Sequence, residues 1–357
     1  MRTRITFAIG LTLGLTIAVL TATPVPPGEK PDAFSQATPR ALAVSVPGNI
    51  RLSFRGEVAR EYVMTGPDLA RLAAVRIRTR EVNTTGEIMG TYIYQGIPVL
   101  HILEGIAPRI PPQAPFDRPL DLVVSFVSRS GRESRFSYCE LILTDDRHPV
   151  TLAYHRRQLL PAIDPQSYTK NRHRANVSGL RLICPRDRTD SRYLDDVVAV
   201  KFIRPATAGN LLPPQKKGKK CASRALWTIE KGVKEPASLN GLPLVILEGW
   251  FRTGHGRGIK STGLESTRGY PLRAVITRLF PHSQPDDFFL FAACDGYRSL
   301  LSWREIFETE DGCKMLLTVD RGPRGEIRDL RLACVADYFV DRNIWGLSHI
   351  QHISLTE

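Results

Sequence analysis

Beyond Leu20 the sequence lacks any apolar run that approaches membrane-spanning length, so we expect no further helix to cross a membrane. It also lacks His and Cys residues at the short spacings typical of metal sites, which argues against a metal centre. No nucleic-acid-binding motif is recognisable, which argues against a DNA- or RNA-binding protein. The eight His residues are scattered, and the pattern assigns no catalytic residue.

The first residues have the order of a secretory signal. Arg2 and Arg4 precede an uncharged run from Ile5 to Leu20, and small residues and Thr23 follow. The run spans roughly 24 Å as a helix, short of the roughly 30 Å hydrocarbon core. We therefore expect a cleaved signal peptide over 1–23 and export to the periplasm or beyond, with an uncleaved anchor as the alternative. Residues 24–44, rich in Pro, Ala and Ser, are predicted to be a disordered leader.

The chain carries a net charge of +13, which falls to +11 without Arg2 and Arg4. This balance favours an anionic ligand or an acidic envelope protein as partner. Part of the charge lies in one stretch flanked by Pro and Gly, at Lys216, Lys217, Lys219 and Lys220. We interpret 205–225 as a basic linker.

Three sequence blocks recur in the same order and indicate a duplicated domain, with copies over 45–204 and 226–357. The paired blocks are Gly96–Gly105 with Gly241–Gly249, Phe136–Leu141 with Leu301–Ile306, and Leu180–Cys184 with Leu330–Cys334. Each copy is predicted to be α+β, with strands outnumbering short helices. Ser137-x-x-Glu140 and Ser302-x-x-Glu305 each predict a capped helix start.

The copies differ in their loops. The difference in residue number between paired positions is 145 at the Gly-x-Pro block (Gly96 with Gly241) and 165 at the capped helix (Ser137 with Ser302). It falls to 150 at the Leu-Arg-Leu block (Leu180 with Leu330). This predicts an insertion in each copy, where specificity usually lies. The second copy shows no obvious counterpart of residues 50–70. Cys184 and Cys334 are predicted to be buried apolar residues, and Cys294 and Cys313 are a candidate disulfide pair.

The block order resembles the molybdopterin-binding catalytic domain of the sulfite oxidase family, present as two tandem copies. The likeness is carried by Thr91–Gly105, Ser128–Tyr154 with Leu180–Ile203, and Ser238–Gly249 with Ala293–His349. In that family a Cys thiolate, from a loop after an early strand, ligates molybdenum. The corresponding stretches, Thr79–Thr91 in the first copy and Trp227–Ser238 in the second, contain no Cys. The export signal also lacks a twin-arginine block, which cofactor-loaded enzymes of this kind generally carry.

We therefore expect an exported, non-catalytic binding or scaffold protein with no cofactor. Two alternatives remain: a molybdopterin-dependent oxidoreductase, and an accessory subunit of a periplasmic redox enzyme.

Two basic segments are candidate binding sites. The Gly-rich loop Phe251–Lys260 offers Arg252, His255, Arg257 and Lys260 to an anion or partner. It is not a Walker loop, because the Gly-Lys-Ser/Thr ending is missing. A secondary patch in the first copy's insertion is formed by Lys170, Arg172, His173 and Arg174. In both cases the alternative is a solvated basic loop.

Overall fold

A computed structural model describes residues 46–357, apart from 145–147, 160–176, 178, 217–220, 255–259, 338–339 and 356–357. The predicted signal peptide and leader therefore lie outside the described residues. Val44–Glu357 forms one compact unit. Its many strands and short helices confirm a strand-rich chain of the mainly-β or α+β class. No helix in the described ranges is long and apolar enough to cross a membrane.

The first half of the chain contributes two sheets. Sheet I has the order β2-β1-β9-β5-β6, and sheet II has the order β3-β4-β7-β8. Only β1 and β9 pair in parallel; the other neighbours in these two sheets are antiparallel. The strands are β1 (Arg51–Gly56), β2 (Tyr62–Thr65), β3 (Val75–Val82), β4 (Ile88–Pro98), β5 (Val123–Ser128), β6 (Glu133–Ser137), β7 (Thr151–Leu159), β8 (Arg181–Ile183) and β9 (Val197–Ile203).

The second half repeats this plan. Sheet III has the order β11-β10-β19-β14-β15, again with one parallel pair, β10 with β19. Sheet IV has the order β12-β13-β16-β17-β18. The strands are β10 (Trp227–Glu230), β11 (Val233–Pro236), β12 (Val245–Gly254), β13 (Lys260–Pro271), β14 (Phe288–Ala293), β15 (Arg298–Ser302), β16 (Met315–Arg321), β17 (Ile327–Cys334), β18 (Ile344–Trp345) and β19 (Leu347–Ile353).

The helices are short and begin at strand ends. They are α1 (Gly66–Leu69), α2 (Val99–Leu103), α3 (Tyr138–Ile142), α4 (Leu272–Leu279) and α5 (Trp303–Glu308), with 3₁₀ turns at Pro119–Asp121, Asp311–Lys314 and Val340–Arg342. α2 starts after Pro98, and α4 starts after Pro271. Proline has no backbone N–H, so it cannot donate a further hydrogen bond to the neighbouring strand, and the strand ends there. Its fixed φ also suits the start of a helix.

The glycines that precede α2 and α4 correct one pairing of the sequence blocks. A Cβ on Gly96 would lie 2.5 Å from the Leu152 carbonyl oxygen, and a Cβ on Gly269 would lie 2.7 Å from that of Leu317, whereas a Cβ on Gly241 would meet nothing within 4 Å. Gly96 and Gly269 therefore play the same part, where a strand end approaches its neighbour too closely for a side chain. The predicted pairing of Gly96–Gly105 with Gly241–Gly249 is wrong, because the first block leads from β4 into helix α2 and the second leads from a turn into strand β12.

This correction also changes the predicted insertions. The β12–β13 hairpin corresponds to the β3–β4 hairpin, so the described part of the basic segment, Phe251–Gly254 and Lys260, lies in hairpin strands and not in an insertion of twenty residues. The β10–β11 pair corresponds to β1–β2. The second copy therefore does have a counterpart of the chain's first strands.

Strand β14 of sheet III is buried on both faces. Phe289 and Phe291 of β14 face one apolar cluster, and Phe288 and Leu290 face another. A strand covered on both sides favours a continuous apolar run over an alternating one. This explains why the segment has no polar alternation in the sequence.

The cysteines divide into three environments. Cys221 and Cys294 form a disulfide, so the predicted pairing of Cys294 with Cys313 is wrong. Cys313 is exposed, with its thiol directed to the Glu310 carbonyl. Cys184 and Cys334 are buried within the cores, as predicted. Sequence spacing does not report which two thiols the fold brings within bonding distance.

Candidate functional site

The two capped helices meet at the centre of the unit. The Ser137 hydroxyl accepts a hydrogen bond from the backbone N–H of Glu140, and Ser302 does the same for Glu305, each at 3.0 Å. These caps confirm the Ser-x-x-Glu predictions. The serines also donate across the centre: Ser137 to the Glu305 carboxylate at 3.1 Å, and Ser302 to that of Glu140 at 3.4 Å. The two copies therefore exchange capping contacts.

A buried arginine holds each of these glutamates. Arg192 forms a two-pronged pair with Asp187, at 2.7 and 2.6 Å, and also contacts Glu140 at 2.6 Å. Each charged group in this set is buried, and neutralisation by a partner is what makes such burial tolerable. We call this set, together with the matching one in the second copy, the paired ion centre. Its second half is formed by Arg342 with Asp337 and Glu305.

Burial governs the protonation of this centre. It raises the pKa values of Glu140 and Asp187, with the charge of Arg192 acting in the opposite direction. Burial alone would lower the pKa of Arg192, but Asp187 and Glu140 outweigh it and raise that pKa well above the ordinary value. The arginine therefore stays charged, whereas at Glu140 and Asp187 burial outweighs the charge of Arg192 and keeps both pKa values above the ordinary value.

The space beside the paired ion centre is small. The cavity that Glu140, Arg192 and Glu305 line has a volume of about 30 Å³, enough for about one water molecule. Two buried carboxylates that line one cavity, Glu140 and Glu305, would otherwise suggest acid–base chemistry. With room for about one water molecule beside them, these groups form a structural junction between the copies.

A repeated sequence pattern for this centre escapes the block comparison. Cys184, Asp187 and Arg192 have the same spacing as their counterparts in the second copy, which are Cys334, Asp337 and Arg342. In each copy an Asp precedes an Arg by five residues after the same core strand. This repeated spacing indicates an ion pair that closes the loop in both copies.

An open cleft lies next to the junction and is much larger, with a volume of about 610 Å³. Its walls come from β3, from the loop after β8, and from the 3₁₀ turn of the second copy. The two loops are joined, because the Arg188 N–H donates to the Glu308 carbonyl at 2.9 Å and the Glu310 N–H donates to the Arg186 carbonyl at 3.2 Å. We call this the arginine cleft. Its lining cations are Arg78, Arg80, Arg186, Arg188 and Lys314, with His148 beside them.

The arginine cleft has more cations than its acids can neutralise. Asp311 pairs with Arg186, and with Lys314 at 3.0 Å. Across the described ranges, no ion pair engages Arg78, Arg80 or Arg188, and all three are exposed. Arg273 is a further arginine close to Arg188. Its pKa is lowered first by burial and then by the charge of Arg188. The cleft therefore presents unneutralised guanidinium groups, which match phosphate, sulfate or carboxylate oxygens.

Of the predicted site residues, the structure describes only Arg252 and Lys260, and neither is among the residues that line this cleft. Arg252 lies in β12 and Lys260 begins β13, where Gly254 pairs with Lys260 near the hairpin end. His255 and Arg257 lie outside the described residues, as do all members of the secondary patch, which are Lys170, Arg172, His173 and Arg174. These two sites stay predictions. The residues of the arginine cleft were missed because they come from three separate segments.

The part of the chain that the structure describes contains no cluster of three or more His, Cys, Asp or Glu residues placed to hold a metal ion.

No family model matches the chain, and no curated protein matches it. Among solved structures, it is similar to the sulfane dehydrogenase SoxCD from Paracoccus pantotrophus, with 11% sequence identity and a TM-score of 0.31. The similarity covers 80% of this chain and 78% of that chain. At this TM-score it carries no argument about fold or function.

Proposed function

We propose that this is an exported, non-catalytic binding protein, built from two sulfite-oxidase-like folds, that holds an anionic ligand in the arginine cleft. One observation carries the proposal: Arg78, Arg80 and Arg188 are exposed in one cleft and have no ion-pair partner among the described residues. The duplicated strand order and the two capped helices support the two-copy architecture.

The chemistry of the cleft indicates the class of ligand. Guanidinium groups offer paired N–H donors, which suit the paired oxygens of phosphate, sulfate or carboxylate. A volume of about 610 Å³ lies within the range of small-molecule sites. Two acids of the cleft are paired: Asp187 with Arg192, and Asp311 with Arg186 and Lys314. The third, Glu310, is exposed.

The stretches that the resemblance would expect to supply a thiolate to molybdenum contain no Cys. Two cysteines are chain neighbours of cleft residues. Cys184 is buried, and burial raises the pKa of its thiol well above the usual range. Cys313 is exposed, with its thiol directed to the Glu310 carbonyl. A cysteine binds a metal ion as the thiolate and not as the thiol. The hairpin segment 252–264, which corresponds to Thr79–Thr91 in the corrected alignment, also contains no Cys. We therefore derive no reaction step through a molybdopterin cofactor.

Binding of inorganic pyrophosphate, measured by isothermal titration calorimetry, tests the proposal. The double variant Arg78→Gln, Arg188→Gln should weaken binding by about tenfold or more, since each contact between charged groups contributes about 1.5–3 kcal/mol. Arg324→Gln, at an exposed turn away from the cleft, is the matched control and should bind like the wild type.

Two results would overturn the proposal. One is unchanged pyrophosphate binding in the double variant. The other is stoichiometric molybdenum with a releasable pterin, found by elemental analysis of protein isolated from its native envelope.

A further inference from the structure

One edge strand carries a row of arginines. Arg76, Arg78 and Arg80 are exposed at every second residue of β3, while Ile77 and Thr79 between them are buried. Because side chains alternate across a strand, the three guanidinium groups lie on the same face of sheet II.

The cationic face continues across the sheet. Arg76 is opposite Gln95 of β4, which is opposite His155 of β7; Arg78 is likewise aligned, through Ile93, with Arg157. The pKa of His155 is lowered first by burial and then by the charges of Arg157 and Arg76, as expected if the three lie close together. We call this face the arginine ladder, formed by Arg76, Arg78, Arg80, His155 and Arg157. In the described residues, none of its arginines has an ion-pair partner.

The outer edge of β3 is open. β3 stands at the end of sheet II. Its one outward backbone contact among the described residues is at its end, where Val82 accepts from the Asp190 N–H at 2.7 Å. Every second residue of an edge strand directs its N–H and C=O outward, where an additional strand can pair with them.

Charge on an edge strand often serves only to prevent edge-to-edge aggregation. Here the same charges make the edge selective, because they repel a second copy of this basic strand and attract an acidic one. The equivalent edge in the second copy shows that the fold does not require an arginine at the position of Arg76. Ile246 pairs with Arg268 just before Gly269, as Arg76 pairs with Gln95 just before Gly96, and Ile246 is 57% exposed.

We propose that β3 accepts an extended acidic segment of a partner protein as an added strand, with Asp or Glu at alternate positions opposite the arginine ladder. Main-chain hydrogen bonds would supply affinity, and carboxylate–guanidinium pairs, with Cβ atoms about 4.5–5.5 Å apart, would supply specificity. The inference gives the proposed binding role a partner and rests on it. Arg76 and Arg157 do not line the arginine cleft, so the two proposals can be tested separately.

The first experiment compares labelled peptides by fluorescence anisotropy against the full chain. One peptide alternates Glu and Val over seven residues, and a control of the same composition places its Glu residues in one block. The alternating peptide should bind at least about tenfold more tightly, a difference of about 1.4 kcal/mol. Equal binding of the two peptides, or binding of anionic phospholipid vesicles with no preference for the alternating peptide, would overturn the proposal.

The second experiment tests the backbone pairing. Two further peptides carry N-methyl groups, one on the Glu nitrogens and the other on the Val nitrogens. Because only one of these sets can face β3, one peptide should lose binding and the other should retain it. Retention by both would show that no strand is added.

Protein variants separate the ladder from the cleft. Arg76→Glu with Arg157→Glu should abolish binding of the alternating peptide and leave pyrophosphate binding unchanged. Arg188→Gln should weaken pyrophosphate binding and leave binding of the alternating peptide unchanged. A ladder variant that still binds the acidic peptide would sink the inference, whatever happens to pyrophosphate.

Discussion

The two copies are alike at their junction and different at their outer edges. At the junction, Arg192 and Arg342 make the same contacts to the same kinds of carboxylate. At the edges, the position of Arg76 in the first copy is taken by an exposed Ile246 in the second. The difference shows where the sequence is constrained. A buried charge needs its partner at a fixed distance, whereas a solvent-facing strand residue is free to vary.

The largest expected effect comes from breaking the paired ion centre in one copy at a time. Arg342→Ala leaves the buried carboxylates of Glu305 and Asp337 without a cation, which costs about 3–5 kcal/mol. Arg192→Ala should cost a similar amount, because its contacts are equivalent. Urea denaturation measures both losses.

If the Ala variants do not fold, Arg342→Lys and Arg192→Lys provide a measurable version. Lys keeps the charge but loses the two-pronged contact. A large loss in one copy and a negligible loss in the other would show that the two centres are not equivalent.

A smaller effect tests which glycines correspond. Gly96→Ala and Gly269→Ala each place a Cβ against a neighbouring strand's backbone, and we expect each to lose about 1–3 kcal/mol in thermal or urea unfolding. Gly241 has a φ of +78° and open space around it. Since Asn tolerates this conformation, Gly241→Asn should cost well under about 1 kcal/mol. Equal costs at Gly241 and Gly269 would contradict the corrected alignment.

The smallest effect concerns a pH-dependent contact that distinguishes the copies. His352 contacts Asp287 at 2.8 Å and Glu230 at 3.3 Å, whereas the equivalent position in the first copy is Phe202, as the pairs Phe289 with His352 and Val124 with Phe202 show. Burial alone would lower the pKa of His352, but the hydrogen bond and charge of Asp287 raise it.

A raised histidine pKa stabilises the fold fully below the unfolded value of about 6.5, and this stabilisation is lost as the pH rises through the folded value. Burial would raise the pKa of Asp287, but its contact with His352 lowers it, so the contribution of Asp287 is lost at strongly acidic pH. His352→Phe should therefore cost about 1 kcal/mol near pH 5–6, after allowance for solvent screening, and less above pH 8. Unfolding of both proteins at the two pH values measures this, and a loss that does not depend on pH would refute it.

The sequence predicted those features that depend on neighbouring residues. Ser137-x-x-Glu140 predicts its helix start because the capping hydrogen bond spans three residues. The alignment of Gly96 failed because a Gly-x-Pro triplet occurs at both Gly241 and Gly269. Only the pairing of β13 with β16 shows which of the two closes against a neighbouring strand. A three-residue motif cannot report a contact almost fifty residues away along the chain.

By itself, the sequence determined the strand-rich class, the duplication of blocks, the two helix caps and the burial of Cys184 and Cys334. These follow from hydrogen bonds and apolar patterns that are local to each segment. The tertiary structure decided the disulfide partner of Cys294, the exchange of caps between the copies, and the meeting of Arg78 with Arg188 in one cleft. Each of these depends on distances between segments far apart in the chain, which are set by sheet pairing and close packing.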